Sequence, residues 1–418
     1  MVYEERKKNK GSFINGVLVG IVCCGLVLTL VKPIVNYVEK KTGMQIANGQ
    51  SSVLYTTELL DDETITKIGE LSGYIDMYYY EDVDDADLKE GLYEGLVAGI
   101  GDDYSGYYDE EAYANLQVST KKVYGGIGAG ISTDKETELE SISFIYEGSP
   151  AEAAGLEVGD IFAEVDGTDV TGMESSELVK LLRGDEGTTV HVKVYRESEG
   201  TYVEVDMVRA VIDIPTVYSE MLVDDIGYIQ ISDFGSATAE SFKEAVDELN
   251  ASGMQKMIID IRGNTGGLVS AATEILDYIL PEGVVVYTED KYGNRKDYTS
   301  SGDTFMMCDI CVLMNSYSAS ASEILAGALR DYNVATLIGT TTFGKGIVQT
   351  IYPLSDNDAI KLTTATYYTP NGDCIHGKGI DPDIELEYEY SGDTDADFDY
   401  TKDNQIMKAI EVFESESE

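Results

Sequence analysis

The spacing of apolar and polar residues changes character several times along the chain. Residues 13–31 are mostly apolar and carry no charge, a length that can span a hydrocarbon core. From Leu54 to about Leu116 the period is helical. One helix is predicted around 64–71, and a second over 86–100 with Leu88, Leu92, Leu96 and Ile100 on one face. Asp102-Asp103-Tyr104-Ser105 then reads as a turn. Between Val123 and about Val208 the pattern shortens into strands at 142–146, 161–165, 190–195 and 203–207, with a helix at 176–182 and a glycine-rich approach over 124–131. From Ile226 onward strands alternate with helices: 226–231, 256–261 and a buried run at 305–314 as strands, and 237–250, 269–280 and 322–330 as helices. That order predicts βα units on a mainly parallel core. The stretch after about Tyr388 is polar and acidic and is expected to be largely disordered.

Composition narrows the function. The 418 residues suffice for two or three domains, and 43% hydrophobic content is ordinary for a globular chain. Seventy-seven acidic against 29 basic side chains give a formal net charge of -48, a surface that repels phosphate backbones and excludes nucleic acid as partner. Five cysteines make no disulfide framework. Cys308 and Cys311 resemble a redox or metal pair, but on a strand residues three apart face opposite sides, so they read as core thiols. Arg6, Lys7, Lys8 and Lys10 precede the apolar run, and no small-residue cleavage site follows it. These features predict an uncleaved single-pass anchor in the cell membrane, with the remaining chain extracytoplasmic.

Chemistry concentrates in three segments. The first is an elbow, Asn315-Ser316-Tyr317-Ser318-Ala319-Ser320-Ala321-Ser322-Glu323, in which the serines alternate. Ser320 with Glu323 also fits a helix capping box, and a helix start stabilises developing negative charge as well. Which serine is exposed stays open from spacing. The second is Thr342-Phe343-Gly344-Lys345-Gly346-Ile347-Val348-Gln349. It falls short of a P-loop because Gly346 stands where a magnesium-binding hydroxyl is required and a strand follows in place of a helix. Lys345 can serve as a base only if desolvation lowers its pKa from about 10.4. Gln349, four residues on, returns to its side of a strand and can orient the amine. The third is Asp260-Ile261-Arg262-Gly263-Asn264-Thr265-Gly266-Gly267, a strand-to-helix turn whose glycine N–H groups, with that of Ala321, can face an oxyanion or simply make a tight turn. Of two histidines, His191 reads as a surface strand residue, and from the residues alone His376 can also serve a serine–histidine pair.

The run Gly148-Ser149-Pro150-Ala151-Glu152-Ala153-Ala154-Gly155-Leu156-Glu157-Val158-Gly159-Asp160 resembles the signature of a PDZ domain. The resemblance implies a groove in which an extended carboxyl end adds a strand, with Gly125, Gly126, Ile127 and Gly128 as carboxylate loop. Taken in order, this module, the Asp260–Gly267 turn, the Ser318–Glu323 elbow and the Phe343–Gln349 segment resemble the carboxyl-terminal processing peptidases, or tail-specific proteases of serine peptidase family S41. Gly95–Ser105 and Gly377–Asp383 also fit, so the resemblance runs from about Leu54 to Glu387. It implies an α/β ClpP/crotonase-like catalytic core with an inserted β-rich PDZ domain and a helical N-terminal region. With the anchor and tail read from the residues, the expected divisions are 1–12 cytoplasmic, 13–35 anchor, 54–122 helical, 123–208 PDZ, 209–390 catalytic and 391–418 acidic tail. It implies Ser320 as nucleophile, Lys345 as general base, Gln349 as its orienting partner, and Gly266, Gly267 and Ala321 as oxyanion donors. Arg183 matches a peptide-sensing PDZ arginine. No cofactor or metal is implied. The partners are protein substrates with accessible C-termini, the membrane through the anchor, and a second copy in a homodimer. Asp103 stands where the family usually has proline, a departure assigned to the helical region alone. The rival readings are a non-catalytic peptide-binding scaffold and a cytosolic acyl-CoA-type enzyme.

Overall fold

A computed structural model of the chain describes residues 58–223, 225–304, 306, 308–393 and 397–415. These fall into two compact units that divide between Lys89 and Glu90. In the first, helix Asp62–Tyr78 starts where the Asp61 carboxylate accepts the Thr64 N–H at 2.8 Å. Its apolar positions Ile65, Leu71, Tyr74 and Met77 are exposed. Among the described residues no helix is long and apolar enough to cross a membrane. That finding corrects the expected single-pass, membrane-localised arrangement. The 13–31 run on which the expectation rested lies outside the described residues.

The second unit is built on a sheet in the order Val217–Met221, Ile226–Ile231, Lys256–Asp260, Asp309–Met314, Ala335–Gly339 and Ile384–Glu385. Its first pair is antiparallel and the others are parallel. The central strands read as unbroken apolar runs because both faces are covered. On one face Met257, Ile259, Ile310, Val312 and Met314 pack with helices Thr238–Ala251, Val269–Ile279 and Ala321–Asp331. On the other, Ile258, Cys311, Leu313 and Ile338 meet Ile406, Ala409, Ile410 and Phe413. Cys308 packs with the first cluster and Cys311 lies in the second, so the two thiols sit on opposite faces.

Those last four residues belong to helix Asn404–Ser415, which corrects the expectation of a disordered tail. Mean acidity hid an amphipathic helix whose apolar residues recur every three or four positions. A buried ion pair fixes its start: Arg262 bonds both oxygens of Asp260 and reaches Asp403 at 2.9 Å. The buried strand at the centre is also shorter than predicted, beginning at Asp309.

A second, antiparallel sheet holds Gly106–Tyr108, Ala359–Tyr368, Gly283–Asp290 and Arg295–Ser300, with Ile347–Pro353 also paired to Ala359–Tyr368. The β-rich module lies between the strands Val123–Gly126 and Ala210–Asp213, which pair antiparallel as a two-stranded ribbon. Its sheet runs Ala129–Thr133, Glu140–Ile145, Ile161–Val165, Thr189–Arg196 and Thr201–Val208. Val190, Val192 and Val194 alternate into its core with Ile142, Phe162 and Leu178. The Gly159-Asp160 pair of the motif has a structural reason. Asp160 is buried and binds Arg196 bidentately at 2.8 and 2.7 Å.

Candidate active site

The four alternating serines have separate fates. Ser318 and Ser322 are fully buried, their hydroxyls donating to the carbonyls of Ile261 and Asn264 at 2.8 Å each. Ser316 is exposed. Ser320 caps helix Ala321–Asp331 with φ 57° and ψ -113°, a conformation an L-residue holds only when its surroundings impose it. It lines a cavity of about 610 Å³ together with Lys345, Gln349, Gly266 and Gly267. Burial commits Ser318 and Ser322, and of the other two Ser320 is the one that lines the cavity with Lys345.

One buried carboxylate organises both the serine and the lysine. Glu323 is fully buried, and its Oε2 accepts the N–H of Ser320 at 2.9 Å and of Lys345 at 2.8 Å. Its Oε1 accepts the Thr342 hydroxyl at 2.6 Å and the Gly344 N–H at 2.7 Å. Four donors satisfy the charge inside the protein. From the other side the buried Tyr367 hydroxyl meets the carbonyls of Ser320, at 2.9 Å, and of Lys345. Gly344 and Gly346 admit the backbone of 376–379. A Cβ on Gly346 would fall 2.5 Å from the His376 nitrogen. His376 itself is exposed and does not line the cavity. His191 pairs with Asp206 at 2.9 Å on the surface of the module, and that bond raises its pKa.

Lys345 is half-buried. Burial pushes its amine below the ordinary lysine value, helped by the Lys361 ammonium and opposed by Asp102 and Glu323. Gln349 shares its cavity, but not by simple strand alternation. The strand begins at Ile347, after the lysine, and a bulge intervenes between Val348 and Gln349. Its Nε2 donates to the Thr363 hydroxyl at 3.3 Å.

One glycine of the strand-to-helix turn, Gly266, abuts the serine. A Cβ on Gly266 would lie 2.7 Å from Ser320 Cβ and 3.1 Å from the Ala321 nitrogen. The Gly266 N–H is itself committed to Asn264 Oδ1 at 2.8 Å. The N–H groups of Gly267 and Ala321 have no acceptor among the described residues.

Sequence reasoning missed two features of this cavity. The first is the ion pair of Lys122 and Asp233 at 2.8 Å; both side chains line the cavity, and burial raises the Asp233 pKa against the effect of Lys122. Nothing in either residue's neighbourhood in sequence signals the pairing. The second lies beside it, in the turn Asp102–Ser105, whose Asp103 departure is expected to touch the helical region alone. That assignment is corrected: Tyr104 places its ring 4.7 Å from Lys345 Nζ.

In the module, a groove of about 180 Å³ runs between the strand Ala129–Thr133 and the helix Ser175–Leu182. Gly126, Ile127 and Arg183 line it. That strand is the outer one of its sheet. Gly125 and Gly128 do not line the groove; they admit the module's own chain. A Cβ on Gly125 would meet the Gly184 carbonyl at 2.2 Å, and one on Gly128 would meet Ser149 Cβ at 2.3 Å. Arg183 lies 5.2 Å from the Tyr124 ring centre and donates to Asn115 at 3.3 Å.

Residues 225–386 match the model of peptidase family S41, and residues 142–196 that of the PDZ domain. The carboxy-terminal processing protease CtpA of Bacillus subtilis is 35% identical over 81% of this chain and 72% of its own length. A carboxy-terminal-processing protease of Bartonella bacilliformis is 35% identical over 77% of this chain and 74% of its own length. One from Synechocystis is 36% identical over 69% of each.

Proposed function

We propose a serine–lysine mechanism for this chain, which belongs to peptidase family S41 and is a carboxy-terminal processing serine protease with a PDZ domain. Family membership sets aside the reading as a non-catalytic scaffold and the acyl-CoA-type alternative. Ser320 attacks the scissile carbonyl, and the neutral Lys345 amine accepts its proton. The tetrahedral oxyanion takes hydrogen bonds from the free N–H groups of Gly267 and Ala321, while Gly266 keeps the space beside them open. Lys345 then protonates the leaving amine, and water, activated by the same amine, hydrolyses the acyl-enzyme. Gln349 orients Lys345.

The observation that carries this reading is a single cavity joining Ser320, held at positive φ, to a half-buried lysine of lowered pKa. Burial is the larger influence on that amine and favours its neutral form. Substrate carboxyl ends dock in the module's groove by adding a strand beside Ala129–Thr133, with Arg183 sensing the bound end. The α/β core is of the ClpP/crotonase type. Two copies pair through exposed apolar residues such as Ile65, Leu71 and Met77.

The test is hydrolysis of a folded substrate with an unstructured tail. Ser320→Ala and Lys345→Ala each lower turnover by at least about 10³-fold, while His376→Ala spares it. Full activity in Lys345→Ala assigns the base elsewhere. Equal cleavage of tails with free and amidated ends removes carboxylate recognition.

A further inference from the structure

The base in this site is surrounded by more than its own strand. Tyr104 lies over the Lys345 amine at 4.7 Å. From the same turn, the Asp102 carboxylate accepts the Thr363 hydroxyl at 2.7 Å, and that hydroxyl receives Gln349 Nε2 at 3.3 Å. Ser105 closes the turn, donating to Asp102 at 2.5 Å and accepting the Thr363 N–H at 3.1 Å. These bonds bind a segment more than 250 residues away in sequence to the strand beside the lysine.

We propose that the Asp102–Ser105 turn is a positioning element of the catalytic base. Tyr104 fixes the Lys345 amine and covers it from water, and Asp102 sets Gln349 through Thr363. The claim rests on Lys345 as base, as proposed above. The charged and titratable groups around the amine are Asp102 and Tyr104 from the turn, Lys361 from strand Ala359–Tyr368 and Glu323 from the elbow helix. Tyr367 touches the lysine carbonyl, and Lys122, Asp233 and Tyr298 line the same cavity. Within this set the two turn residues act in opposite senses. An aromatic face attracts an ammonium weakly compared with what removal from water costs it, so the ring's net effect keeps the amine neutral. The Asp102 charge favours the protonated amine.

The experiment is the pH profile of kcat/KM, with separate kcat and KM, on the full chain and a tail-bearing peptide. Tyr104→Ala is expected to lower kcat at least tenfold with KM little changed, and to move the acidic limb to higher pH, because a more hydrated amine is harder to deprotonate. Tyr104→Phe keeps the ring and should stay within about twofold of the parent. Asp102→Asn is expected to move the limb to lower pH. Thr363→Val, which leaves every charge in place, should lower kcat without moving it. A merely structural turn would not shift the limb in opposite directions. Parent-like kcat and pH profile in Tyr104→Ala, with Lys345→Ala inactive, overturns this inference alone. Activity in Lys345→Ala overturns the assignment of the base and this inference with it.

Discussion

The glycines at 125–128, where the chain enters the β-rich module, and those at 263–267 in the catalytic core are both closely spaced in sequence, and both sets lie beside a cavity. At the module's entry, a Cβ on Gly125 or Gly128 would meet the module's Gly184 or Ser149. In the core, Gly266 abuts Ser320 and the Ala321 nitrogen, and a Cβ on Gly267 would meet the Phe234 carbonyl at 2.4 Å. The first set shapes a groove from behind. In the second, Gly266 sits against the atoms that react in the proposed mechanism. A glycine-rich loop therefore reports close approach of backbone, and only its neighbours show whether that approach is structural or chemical.

The sharpest separation of the two is Gly266→Ala against Gly128→Ala. With its new methyl against Ser320, Gly266→Ala is expected to lower turnover of any substrate by about 10²–10³-fold, measured on a small activated ester. Gly128→Ala strains a residue at φ 77° and should cost roughly 1 kcal/mol or more of stability, seen as a lower Tm, while ester hydrolysis survives. Equal loss of ester turnover in both variants would erase the distinction. Next in size is Glu323→Gln. Replacing one oxygen by an amide sets a donor against backbone donors and should cost about 1–3 kcal/mol, measured by denaturant unfolding, with activity falling alongside. No substitution of a PDZ surface residue should couple stability and turnover in this way.

The pH dependence bears on the core alone. The proposed mechanism needs Lys345 neutral, and its pKa is lowered, so activity should rise with pH through an apparent pKa below the usual lysine value of about 10.4. A limb at or above that value would remove burial as the activating influence. The smallest expected effect is at Arg183. Arg183→Ala should change cleavage of a free-ended tail about fivefold and leave an amidated tail unchanged.

Much of this was legible beforehand because it rests on local pattern. The parallel core strands announced themselves as apolar runs, and the module's strand Thr189–Arg196 as a strict alternation. The Gly-Asp motif and the serine elbow were readable as motifs. The last helix was not, because net acidity outweighed its short apolar stripe, and what stabilises it is a sheet face formed elsewhere in the chain.

The sequence by itself determined which residue types were available: a lysine set in glycines, four alternating serines in one elbow, and two histidines in the whole chain. Tertiary structure alone decided which elbow hydroxyls are committed, by burying those of Ser318 and Ser322 on distant carbonyls, and which serine lines the cavity with Lys345. It alone brought Tyr104 to Lys345 and joined Lys122 to Asp233. The physical reason is that hydroxyl commitment and amine desolvation depend on groups that chain folding brings within a few ångströms, and no spacing along the sequence encodes that distance.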